Sequence, residues 1–97
     1  MNKITYEDFY NRFKLLISKV IFQDCKEYLY FDSYMNIEGF NKLCYIKDNF
    51  NSLNSNVIEN SIFILEDSLN NSTIDSELII DNLVDIIERL FNSIKGD

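Results

Sequence analysis

Carboxylates carry whatever chemistry this chain offers. Asp24 and Glu27 stand three residues apart, and Asp85 and Glu88 repeat that spacing. On a helix it places both members of a pair on one face. Two such pairs facing each other could hold Mg²⁺ together with substrate phosphates. A simpler use is electrostatic. With residues set 100° apart, Glu77, Asp81, Asp85 and Glu88 fall within an arc of about 80°, a carboxylate stripe along one helix. The stripe weakens the metal reading, because Asp85 and Glu88 then point to solvent and have few cations near them to hold a polyphosphate. The chain has no histidine, and no serine or cysteine stands beside a base, so general-base and nucleophilic catalysis lack their usual groups. Cys25 and Cys44 are the two thiols, too few for a four-ligand zinc site. The expectation is a protein that is not an enzyme, carries no metal or cofactor, and keeps both thiols reduced and packed inside.

The distribution of charge points the same way. Residues 1–47 carry seven basic side chains against six acidic ones, whereas residues 48–94 carry nine carboxylates and Arg89 as their one cation. Like charges one helical turn apart repel by a few tenths of a kcal/mol, so a solvated face normally mixes signs. A one-signed surface creates a field that attracts cationic partners and repels nucleic acid and anionic membranes. The net charge of −7 argues against direct nucleic-acid binding. Residues 1–8 are polar and lack the apolar stretch of a secretory leader. Apolar runs such as 15–17 and 20–22 are far too short to span a bilayer. A soluble, cytoplasmic protein is expected.

At 97 residues the chain makes one domain with one modest core. It has no proline and two glycines, so few strong helix breakers interrupt it. Thr5 followed by Asp8 forms a capping-box pattern, and Phe9, Phe13, Leu16, Ile17, Val20 and Ile21 share one helical face. That spacing predicts a first helix from about Tyr6 to at least Phe22, reaching as far as Lys26. Residues 28–34 (YLYFDSY) alternate partly and read as a helix end followed by an aromatic connection. Helical spacing returns over 37–50, then breaks at 49–56, a run of Asn and Ser. Ser55 or Asn56 caps a third helix that turns Val57, Ile58, Ser61, Ile62, Leu65 and Leu69 inward. The fourth, over 78–94 with Thr73 or Asp75 near its cap, is strongly amphipathic and should bury Leu83, Ile87, Leu90 and Ile94. These elements predict an all-α, compact four-helix bundle over residues 1–97.

Two surfaces can then be weighed. The stripe of Glu77, Asp81, Asp85 and Glu88, extended by Glu59, Glu66 and Asp67, is either a docking surface for a basic protein or a solubilising face. If the first and fourth helices are neighbours, the stripe is instead an internal partner for Arg12, Lys19 and Lys26. The tyrosine-rich set around Tyr30 and Tyr34 either fills the core or supplies apolar anchors to the same docking surface.

The pattern Glu59-x3-Phe63-x2-Glu66-Asp67-x-Leu69, a polar loop, then Ile74-Asp75-x-Glu77-Leu78-x4-Leu83 resembles small colicin-type immunity proteins, the colicin D-like type closest among them. The likeness covers about residues 59–90 and is one of residue classes; the aromatic-rich first half departs from it, so no family contact residue is carried there. The resemblance implies an acidic helical bundle that binds and neutralises a cognate basic nuclease toxin. Other readings are a phage anti-defence protein that mimics nucleic acid, a self-associating regulatory or scaffold bundle and, from the paired carboxylates, a Mg-dependent nucleotide pyrophosphohydrolase.

Overall fold

Among the described residues the chain forms five α-helices and two short irregular turns: α1 (Tyr6–Ile21), α2 (Lys26–Tyr34), a π-helical turn (Met35–Gly39), α3 (Phe40–Asp48), a 3₁₀ turn (Phe50–Ser52), α4 (Ser55–Asn70) and α5 (Ser76–Ile94). They come from a computed structural model that describes residues 4–21 and 26–96. Because α2, the π turn and α3 are continuous, the described residues make four helical rods and no strand. The protein is an all-α helical bundle. The expected extension of the first helix to Phe22 or Lys26 lies outside the described residues, as do Asp24 and Cys25.

Local chemistry starts three of the four rods. The Thr5 hydroxyl accepts from the Asp8 amide at 3.2 Å, and the Asp8 carboxylate accepts from the Thr5 amide at 3.0 Å. This is the reciprocal capping box with Asp in place of Glu. Hydrogen bonds from the Thr5 amide and hydroxyl, together with the nearby Arg12 charge, hold the Asp8 carboxyl below its usual range despite slight desolvation. Asn54 caps α4 by accepting from the Asn56 amide, one or two residues earlier than expected, and Asp75 caps α5 by accepting from the Leu78 amide.

Residues 28–34 are helical, which corrects the expectation of an aromatic connection. Phe31 is the one buried residue of α2, so the segment shows little helical periodicity in its apolar residues. The π turn is the second reason. Phe31, Met35 and Gly39 follow at four-residue steps, and each such step in an α-helix drifts by about 40°. The wider turn, closed by the Phe40 amide on the Met35 carbonyl, absorbs that drift and keeps Gly39, Leu43 and Ile46 facing the core. Gly39 is buried, and a methyl group there would come within 2.8 Å of the Tyr34 ring.

The core runs through all four rods. α5 supplies Ile79, Ile80, Leu83, Ile86, Ile87 and Leu90, and packs against α1, α2, α3 and α4. Ile94, expected inside, is half-buried, because the chain leaves the helix there through Lys95 and Gly96. α1 contributes Phe9, Phe13, Leu16 and Val20, with the Phe13 ring 6.4 Å from that of Phe31. α1 lies against α4 and α5, and α3 against α5, whereas the seam between α1 and α3 stays open. No helix among the described residues is long and apolar enough to cross a membrane.

Candidate functional site

Two of the three cations on α1, Arg12 and Lys19, are consumed by α4, its neighbour. Arg12 pairs with Glu66 at 2.8 Å, and Lys19 donates to the carbonyls of Ser68 and Asn71 at 2.9 Å each. Lys19 thereby caps the C-terminal end of α4, where orphan carbonyls and the helix dipole favour positive charge. Neither residue reaches the α5 stripe, so the internal neutralisation considered for that stripe does not come from Arg12 or Lys19.

The carboxylates then divide into three groups. Glu59 and Asp67 on α4 and Glu77 and Asp81 on α5 are exposed, with no cation within ion-pair distance among the described residues. Glu66 and Asp85 are exposed and paired, the latter with Arg89 at 3.0 Å. Glu88 stands apart. Lys42 donates to its two oxygens at 2.9 and 2.7 Å, and the Tyr34 hydroxyl donates to it as well. Glu38, one turn before Lys42, completes the cluster at 3.4 Å.

This knot ties the second rod to α5 and corrects the placement of Glu88 in the solvent stripe. Glu88 lies on the side of the stripe nearest Val84 and Phe91, which turn toward α3. The Phe91 ring meets Tyr45 edge-on at 5.3 Å, and Lys42 spans the remaining gap. Tyr34, expected as a free anchor, has its hydroxyl committed here and is half-buried. Tyr30 remains an exposed side chain on α2. The i, i+4 spacing of Glu38 and Lys42 hinted at the knot; its long-range partners had no local signal.

Burial pushes the Glu88 carboxyl up, but hydrogen bonds from Lys42 and Tyr34 and the Lys42 charge outweigh it and leave Glu88 below its ordinary 4.5. The bond to Glu88 holds the Lys42 ammonium above 10.5, aided by Glu88 and Glu38 charge and opposed by burial. Desolvation raises the Tyr34 hydroxyl, and its bond to the Glu88 carboxylate raises it further. The stability contributed by Glu88 is therefore complete above its unfolded pKa and is lost as pH falls through the lower folded value. That from Lys42 is present below 10.5 and disappears as pH rises through a still higher folded value. Glu88→Gln is expected to cost about 1 kcal/mol at neutral pH. It should also flatten the loss of thermal stability between about pH 5 and pH 3. Melting curves across that range check this; an acid limb identical to the wild type's would show that the knot adds nothing.

Two apolar features escaped the sequence reading. Phe63 on α4 is 69% exposed, with Glu59 one turn before it and Asp67 one turn after. On the opposite side of α1, Tyr6, Tyr10, Phe40, Leu43 and Cys44 line an open groove of about 470 Å³ flanked by Lys14 and Lys47. Cys44 is exposed in that groove and not packed inside as expected. Burial, and secondarily the neighbouring Tyr10 and Cys44, pushes the Tyr6 hydroxyl up to about 12, so it stays protonated at neutral pH. The paired-carboxylate metal site is half outside view, since Asp24 is not described, and its other half is divided between Arg89 and the Lys42 knot. Among the described residues no group of three or more Cys, Asp and Glu is placed to hold a metal ion. The chain matches no protein-family model, no curated protein and no solved structure.

Proposed function

We propose that the protein is an immunity-type inhibitor that binds a cognate basic nuclease toxin in the cytoplasm and neutralises it through the acidic surface of α4 and α5. One observation carries the reading: Glu59, Asp67, Glu77 and Asp81 are exposed and lack a cation among the described residues. Glu66 and Asp85 extend that surface, each held by a single arginine, half-buried Arg12 and exposed Arg89. A nuclease needs a cationic cleft for its substrate, and such a cleft is complementary to this surface. Complementary fields speed encounter and disfavour wrong partners. Phe63 and Tyr30 are exposed rings available as anchors, whereas Glu88 and Tyr34 serve by keeping α5 in place.

The test pairs the purified protein with the product of the neighbouring gene and follows cleavage of nucleic acid by that product. Stoichiometric protein should abolish cleavage, and association should slow as salt screens the field beyond a Debye length of about 10 Å. Asp81→Lys with Asp85→Lys should leave the helical spectrum unchanged and weaken inhibition by at least about tenfold. An active nuclease at stoichiometric protein, or inhibition untouched by both reversals, would leave the acidic surface as a solvated face.

A further inference from the structure

The groove between α1 and α3 is the seam the bundle leaves unfilled. Its rims are cationic, Lys14 on α1 and Lys47 on α3, and Glu7 only partly offsets them. Lys14 sits 5.2 Å from the centre of the Tyr10 ring. Phe40, 64% exposed, forms the α3 wall, and Ile37 is 70% exposed one turn earlier. Exposed apolar side chains gathered in this way on a small domain mark a contact surface.

What fits such a groove is a helix presenting an aromatic side chain between carboxylates. The chain carries one on its own surface. On α4, Phe63 projects outward between Glu59 and Asp67, both exposed and without a cation among the described residues. Those two carboxylates lie eight residues apart, about 12 Å along the helix axis, so each can approach a different lysine. We propose that the α1/α3 groove receives the α4 face of a second copy of this chain, Phe63 seating between Tyr10 and Phe40 while Glu59 and Asp67 meet Lys14 and Lys47.

Pairing groove with groove would instead set Lys14 and Lys47 against their own copies, which like-charge repulsion opposes. The contact is therefore head-to-tail. A bound pair still offers one free groove and one free α4 face, so assembly continues into a ring or a filament. This inference does not rest on the nuclease reading, although Glu59 and Asp67 belong to both surfaces and self-assembly withdraws them from any other partner.

Sedimentation velocity on the purified chain tests it without any second protein. The wild type should show a mass that rises with concentration. Phe40→Glu spoils the groove and Phe63→Lys spoils the face, and each should weaken association by at least about tenfold. Mixed together, the two variants retain one intact groove and one intact face, and should form a heterodimer that grows no further. Lys14→Glu with Lys47→Glu and Glu59→Lys with Asp67→Lys each set like charges at the contact and should stay apart alone; mixed, they regain opposite charges at both contacts and should assemble alternately, which guards against a misfolded Phe40 variant. A wild type that stays monomeric at every concentration overturns the proposal. So does a single variant that assembles like the wild type, or a mixture that fails to pair. Phe40→Glu should still inhibit the nuclease if the acidic surface acts as proposed, which separates the two ideas.

Discussion

Leu83→Ala should lower the free energy of unfolding by about 2–5 kcal/mol. Leu83 lies at the middle of α5, fully buried, with Ile79, Ile80, Ile86 and Ile87 around it on the same helix. Removing most of its side chain forfeits transfer free energy and leaves a cavity that surrounding β-branched isoleucines, stiff at their first torsion, fill poorly. A domain of this size has about 5–15 kcal/mol of stability in all, so the variant should unfold at markedly lower urea concentration. The denaturant slope should stay the same, since the surface exposed on unfolding hardly changes. A loss below about 1 kcal/mol would mean that α5 does not sit where the core closes.

The second large effect is expected at Phe31→Ala, about 3–5 kcal/mol by the same reasoning. Its interest is where the damage appears. Phe31 is the one buried residue of α2 and its ring packs near Phe13 on α1. Truncation should release α2 before the rest of the bundle. Hydrogen exchange is then expected to lose protection at residues 26–34 while the amides of α5 keep theirs. Uniform loss along the chain, or none, would contradict the placement of this segment as a helix held in the core by one buried ring.

α4 and α5 were readable from sequence because their apolar residues recur at helical spacing over more than four turns and their caps are local. Thr5 and Asp8 were readable for the same reason. Residues 28–34 were not, since one buried ring gives no periodicity and the π turn shifts the phase of everything after it. Glu88 failed for a different cause. Its position on α5 alone places it among exposed carboxylates, and only the neighbouring rod, with Tyr34 and Lys42, makes it a tie between helices. Arg12 and Lys19 repeat that lesson, since a helix face names the residues that share it and not the helix it meets. Of the candidate site, the unpaired acids were legible as a charge excess. Phe63 stood in the quoted pattern without an assigned role, and the α1/α3 groove exists only once the rods are packed.

The position of α5 bears on how the molecule is born. It touches every other helix and supplies much of the buried surface, yet it is synthesised after them. While a ribosome adds residues at about 5–20 per second, α1 to α4 emerge with their inner faces turned toward a partner that does not yet exist. α1 and α4 can already lie against each other, but the faces that they and α3 turn toward α5 stay in water, or are lent to a chaperone, until residues 76–94 are clear of the exit tunnel. Folding of this bundle is a closing event, and translation that stalls before α5 leaves a sticky fragment for proteases to remove.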